Sequence, residues 1–199
     1  MTKKHSQKMA KTSVYGAAPH EQSEATHTLS ILVDNEPGVL ARVIGLFAGR
    51  GYNIESLSVA ETDASKHISR ITIISTGTPM VIDQIKSQLE ELVPVKSVTD
   101  LTIEGAHVER ELALIRVQGT GENRIEALRI ADIFRAQVVD STLESFVFEI
   151  TGAAEKVNAF LDLMRPLGLV ETCRTGAAAI MRGQDYFNQA HTEEEIQIS

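Results

Sequence analysis

From Thr28 to Val33 the chain alternates, Leu29, Ile31 and Val33 falling between Thr28, Ser30 and Leu32, the period-two pattern of a strand with one buried face. Asp34-Asn35-Glu36-Pro37-Gly38 breaks the run. Val39, Leu40, Val43, Ile44 and Phe47 then follow at helical spacing and predict one apolar stripe, closed near Gly49-Arg50-Gly51 by a glycine cap. Burying each of those side chains is worth about 1.5–3 kcal/mol. Two β-branched runs, Ile54–Glu61 and Ile68–Ser75, flank the turn-forming Thr62–Lys66 and read as an antiparallel hairpin. Pro79 opens a second helix with the stripe Val81, Ile82, Ile85, Leu89 and Leu92; Pro94 stops it, and Val95, Val98, Leu101 and Ile103 predict a closing strand. The order is β-α-β-β-α-β.

The same order recurs. Leu112–Val117, Val138–Asp140, Phe146–Ile150 and Leu169–Thr175 read as strands, Arg124–Arg135 and Ala153–Met164 as helices. The fold class is therefore α+β, two tandem copies of one small unit, divided near Gly105–Arg110 where the apolar pattern pauses. Two helices cover only one face of a four-stranded sheet, so the other face or an edge awaits a neighbour. The expected division is a basic disordered tail over 1–25, a first module over 26–105, a second over 106–183 and a flexible acidic tail over 184–199.

Composition narrows the function. The chain has 199 residues, 43% apolar and 23% charged, with a net charge of −8. Residues 1–20 contribute +4 and residues 184–199 contribute −4, which leaves the body at −8. An acidic body is a poor partner for nucleic acid, whose affinity comes from neutralised phosphates. No run of eighteen apolar residues exists to cross a membrane as a helix. The basic start lacks the apolar stretch of a secretory signal. Cys173 is the only cysteine, which fits a reducing compartment, here the cytoplasm, and reads as a small buried hydrophobe.

One corner offers recognition chemistry. Asn35-Glu36-Pro37-Gly38 joins a strand end to a helix start, where unpaired N–H groups and the helix dipole favour an α-carboxylate. Gly38 admits close approach to the backbone, and the Asn35 amide both donates and accepts. Asn35 as a helix cap and Gly38 as a packing residue is the plainer reading of the same pattern. Asn53 opens the next strand and is expected on the same rim, as a contact or as a turn residue.

Other motifs fall away. Gly119-Thr120-Gly121-Glu122-Asn123-Arg124, with Asp140 beyond it, lacks the third glycine of a dinucleotide fingerprint and reads as a plain strand-to-helix turn. Phe146 and Phe148 share a strand face as base-stacking aromatics do, but without the accompanying basic residues they read as core. The six histidines show no metal-ligand spacing, and no nucleophile elbow or acid/base carboxylate pair stands out. No catalytic residue and no metal ligand is assigned.

Asn35 to Val43, continuing through Ile44-Gly45-Leu46-Phe47 and Arg50 to Leu57, closely resembles the regulatory small subunit of acetolactate synthase, also called acetohydroxyacid synthase. Gly105–Glu111 and Ile133–Asp140 resemble that family's inter-domain and second-domain segments, and the likeness runs from about Thr26 to Gly183. It implies an N-terminal ACT domain and a C-terminal ACT-like domain, both ferredoxin-like. It further implies a homodimer paired through ACT domains that binds a catalytic large subunit, activates it and confers feedback inhibition by valine, isoleucine or leucine. Thiamine diphosphate, magnesium and FAD are expected on that partner and no cofactor on this chain. Positions matching Asn35, Gly38 and Asn53 hold the inhibitor between paired ACT domains in the family. Val39 and Ile54, with Leu32, are expected to supply an apolar wall for the branched side chain. The alternative readings are a stand-alone ACT-type sensor acting on another enzyme and a nucleic-acid-binding ferredoxin-like module.

Overall fold

The computed structural model describes residues 23–183. Both expected tails fall outside that range apart from residues 23–25 of the first. Strands β1 (Ala25–Asp34), β2 (Ser56–Asp63), β3 (Ile68–Gly77) and β4 (Val95–Asp100) carry helices α1 (Val39–Arg50) and α2 (Pro79–Glu90). The sheet runs β2-β3-β1-β4 with every pair antiparallel. Leu29, Ile31 and Val33 of β1 meet Val43 and Phe47 of α1 and Ile82, Ile85 and Leu89 of α2, all of them almost solvent-free. β1 starts three residues before the alternation begins, where the Thr26 and Thr76 hydroxyls lie 2.8 Å apart across the pair.

The closing strand stops at Asp100, and Leu101–Glu104 turns into a short helix, α3. The expected continuation to Ile103 fails because Asp100 caps the turn, accepting the Thr102 N–H at 3.0 Å. Its other oxygen lies 2.7 Å from His27 Nδ1, with Asp100 fully buried.

The second module repeats the plan. Strands β5 (His107–Gln118), β6 (Gln137–Ser141), β7 (Ser145–Gly152) and β8 (Leu169–Arg174) form the order β6-β7-β5-β8 beneath helices α4 (Gly121–Phe134) and α5 (Ala154–Met164). Phe146 and Phe148 are buried in its core with Phe160, so they face no ligand. Arg124, standing where a dinucleotide site needs glycine, lays its guanidinium 3.8 Å above the Phe146 ring.

Where the apolar pattern pauses, the backbone is already extended. β5 begins at His107, and its first four residues pair with an additional strand, β9 (Ala178–Met181), before the rest enters the second sheet. This pair lies over the open face of the first sheet, where Thr28 Oγ1 donates to Glu109 Oε2 at 3.0 Å. The matching face of the second sheet has no such cover among the described residues. Cys173, opposite Leu114 there, is consequently exposed rather than buried.

Candidate functional site

The β1–α1 corner is built by a break in hydrogen bonding. β1 ends at Asp34, whose N–H donates to Pro94 O at 2.8 Å, and the Asn35 N–H donates to His67 O at 2.6 Å. Gly38 sits at the helix start with φ 89° and ψ −6°, a left-handed conformation that a residue without Cβ adopts freely. No side chain caps the helix, so Asn35 is not the cap. The first helical bond runs from Arg42 N–H to Gly38 O at 3.1 Å, leaving the Leu40 and Ala41 N–H groups ahead of the ladder. A Cβ on Gly38 would meet no atom within 4 Å, so the backbone here faces open space.

Side chains around the corner are polar and exposed. The Asn35 amide donates to Glu61 Oε1 at 3.1 Å, which ties the corner to the end of β2. Arg42 pairs with Glu36 at 3.0 Å. Glu61 had no local signal in the sequence: its proximity follows from β1 and β2 running the same way on either side of β3.

Asn53 occupies the other end of the module. Its carbonyl accepts the Ser75 hydroxyl at 2.7 Å, and the neighbouring Glu55 N–H donates to Ile74 O at 2.9 Å. Between Asn35 and Asn53 lies the whole of α1, twelve residues or about 18 Å of helix. The two asparagines therefore do not share a rim within one chain. Val39 is buried in the helix-side core and Ile54 packs against the edge of that core, whereas Leu32 lines a cavity on the opposite face of the sheet. Leu32 thus drops out of the expected apolar wall.

β2, which links the Asn53 end to the Glu61 end, is an edge strand. It pairs with β3 on one side and with no strand on the other among the described residues. Its open face is gripped by the second module: Ser58 Oγ donates to Ala177 O at 2.7 Å, and the Ala177 N–H donates to Ser56 Oγ at 2.9 Å. Beside this contact a cleft of about 820 Å³ opens between the modules, lined by Glu55, Glu109, Glu111 and Glu155, with Arg174 paired to Glu111. No group of three metal-ligating side chains occurs among the described residues. No helix there is long and apolar enough to cross a membrane.

Two family models match this architecture module by module: "AHAS small subunit-like ACT domain" over residues 29–97 and "Small subunit of acetolactate synthase" over residues 110–183. A probable acetolactate synthase small subunit from Archaeoglobus fulgidus is 48% identical over 157 residues, 79% of this chain and 97% of the relative. The chain belongs to the acetolactate synthase small-subunit family. The isozyme 3 small subunit of Escherichia coli is 46% identical over 156 residues, 78% of this chain and 94% of that one. The crystal structure of the acetolactate synthase small subunit from Thermotoga maritima superposes with a TM-score of 0.72 at 40% identity, covering 80% of this chain and 98% of that chain. The fold is thus a ferredoxin-like ACT arrangement in this small-subunit family, and its first module carries the β1–α1 corner.

Proposed function

We propose that this chain is the regulatory subunit of a cytoplasmic acetolactate synthase: it binds the catalytic large subunit, raises its activity and transmits feedback inhibition by valine, or by isoleucine or leucine. Thiamine diphosphate, magnesium and FAD belong to the catalytic partner, which performs the chemistry. The effector's carboxylate meets the N–H groups at the start of α1, beside Gly38. Its ammonium is held by amide oxygens, and its branched side chain lies between Val39 of the chain that offers Gly38 and Ile54 of a second chain.

The observation that carries this reading is the separation of Asn35 from Asn53 by the length of α1. One small amino acid cannot touch both in one chain. β2 is an unpaired edge, and strand edges pair with second copies. If β2 pairs antiparallel with β2 of a second chain, the Asn53 end of one lies beside the Asn35–Glu61 end of the other. An amino acid there is clamped by two chains, so its binding is linked to how the dimer is held. The contact of Ser56 and Ser58 with Ala177 carries that change to the second module.

Coupling of this kind is reciprocal. Purified chain mixed with the large subunit should increase acetolactate formation, and valine should reverse the increase. A chain that binds valine without activating the large subunit is instead a sensor for a different enzyme.

A further inference from the structure

The β5–β9 pair lies over the open face of the first sheet without filling it. Two cavities remain, of about 230 and 360 Å³, close to the size at which small-ligand sites begin. Leu32, Leu101 and Met181 wall the first; Ala60, Val108 and Ala178 wall the second, and Ile180 borders both. Arg70 of β3 also lines both, and Arg110 joins it in the second. No aspartate or glutamate lines either cavity.

The Arg70 Nε is buried and has no hydrogen-bond partner among the described residues. Arg110, exposed at the mouth of the second cavity, directs one nitrogen to the Glu109 carbonyl at 2.6 Å, a neutral acceptor that leaves it free to face an anion. Arg70 as a whole is half-buried, but a buried N–H without an acceptor is costly, and the planar fork that carries it matches a carboxylate. The rest of the lining is mostly aliphatic, with the hydroxyls of Ser30 and Thr99 in the first cavity and of Ser58, Thr62 and Thr72 in the second, which favours an anion carrying hydrocarbon over a fully hydrated inorganic one.

We propose that the two cavities form one site for a small monocarboxylate with an apolar body. Its carboxylate lies on Arg70 with Arg110 beside it, and its hydrocarbon rests on Ala60, Ala178 and Ile180. The same charges reject an amino acid, because an α-ammonium would meet two guanidiniums and no carboxylate. The ligand is thus an acid without an amino group. The site is distinct from the β1–α1 corner, lying on the opposite face of the sheet.

The test is calorimetric titration of the full chain with hexanoate, with hexylammonium as the charge control and thermal melting to check each variant's fold. Expected is one saturable hexanoate site per chain, no hexylammonium binding, and an affinity at least tenfold weaker in Arg70→Gln. Ala60→Leu keeps Arg70 and fills the cavity from an exposed strand position; it should weaken hexanoate equally while melting as the parent does. The proposal is overturned by an absence of saturable binding, by equal affinity in parent and Ala60→Leu, or by binding that appears only in a chain ended at Gly183. The last result would give the cavity to the acidic segment 184–199.

Discussion

Gly176 rests on the backbone of Leu57 so closely that a Cβ would stand 2.1 Å from the Leu57 carbonyl oxygen. Backbone cannot swing aside as a flexible side chain can. The contact lies between the two hydrogen bonds that join Ala177 to Ser56 and Ser58. Gly176→Ala is therefore expected to pry the second module from β2. Losing two such bonds, at about 0.5–1.5 kcal/mol each, should lower stability by about 1–3 kcal/mol in urea unfolding. Valine should still bind this variant but inhibit the reconstituted enzyme less. A Gly176→Ala complex inhibited like the parent removes this contact from the signalling route.

Gly38 lies in the left-handed region, where an L-residue pays about 1–2 kcal/mol, and aspartate is among the side chains that tolerate it best. A Cβ at Gly38 would meet no atom within 4 Å, so a small side chain has room to start there. The new carboxylate suits the positive end of α1 and repels a ligand carboxylate from it. The variant should fold, activate the large subunit and resist valine. Gly38→Asn, with the same backbone strain and no charge, should keep part of the response. Acetolactate formation across a valine titration separates the two.

Asp100 has no exposed surface and serves both His27 Nδ1, at 2.7 Å, and the Thr102 N–H, at 3.0 Å. Asp100→Ala leaves both groups without their acceptor. At about 1–3 kcal/mol for the stranded buried His27 and about 0.5–2 kcal/mol for the lost cap on Thr102, the expected loss is about 1.5–5 kcal/mol in urea unfolding, and Asp100→Asn should lose less. A loss no larger than that of a surface substitution would falsify this role.

The β2–β3 turn carries a pH signature. Asp63 accepts from the Ser65 hydroxyl at 2.6 Å and from the N–H groups of Ser65 and Lys66 at 3.0 and 3.1 Å. These bonds, the Ser65 hydroxyl foremost, hold its carboxyl below the ordinary value of 3.8. A lowered folded pKa means that the contribution is complete above 3.8 and fades as pH drops through the folded value. In an NMR titration the Ser65 and Lys66 amide signals should hold steady at neutral pH and move only below 3.8. Asp63→Asn should abolish the movement.

What was legible in the chain was burial that repeats along one element. Leu29, Ile31 and Val33, or Ile82, Ile85 and Leu89, announce a strand and a helix because each buries one face against the same core. The β1–α1 corner was legible because Pro37-Gly38 ends one period and begins another. What lay hidden depended on a neighbour distant in sequence. β9 is four residues of small and aliphatic side chains, too short to show a period, and exists because the first four residues of β5 offer it a partner. Once that pair covers the first sheet, Leu32 faces a cavity there, while Cys173, on the uncovered sheet, stays in solvent. Asn53 looked adjacent to Asn35 because both flank α1, yet a helix crossing the sheet delivers its two flanks to opposite ends.

That last separation gives the sharpest test of the two-chain effector site. Asn35→Ala and Asn53→Ala should each abolish valine inhibition when every chain carries the same change, because each site then lacks one contact. In a mixed dimer the outcome differs. One site draws Asn35 from the Asn53→Ala chain and Asn53 from the Asn35→Ala chain, so both contacts are intact, while its twofold mate has lost both. Random re-association of equal amounts makes about half of the dimers mixed, so about a quarter of all sites should recover. Calorimetry on the unfolded and refolded mixture should therefore show valine binding at about a quarter of the parent's capacity and with the parent's affinity. A site closed within a single chain recovers nothing on mixing, since no chain in the tube carries both asparagines.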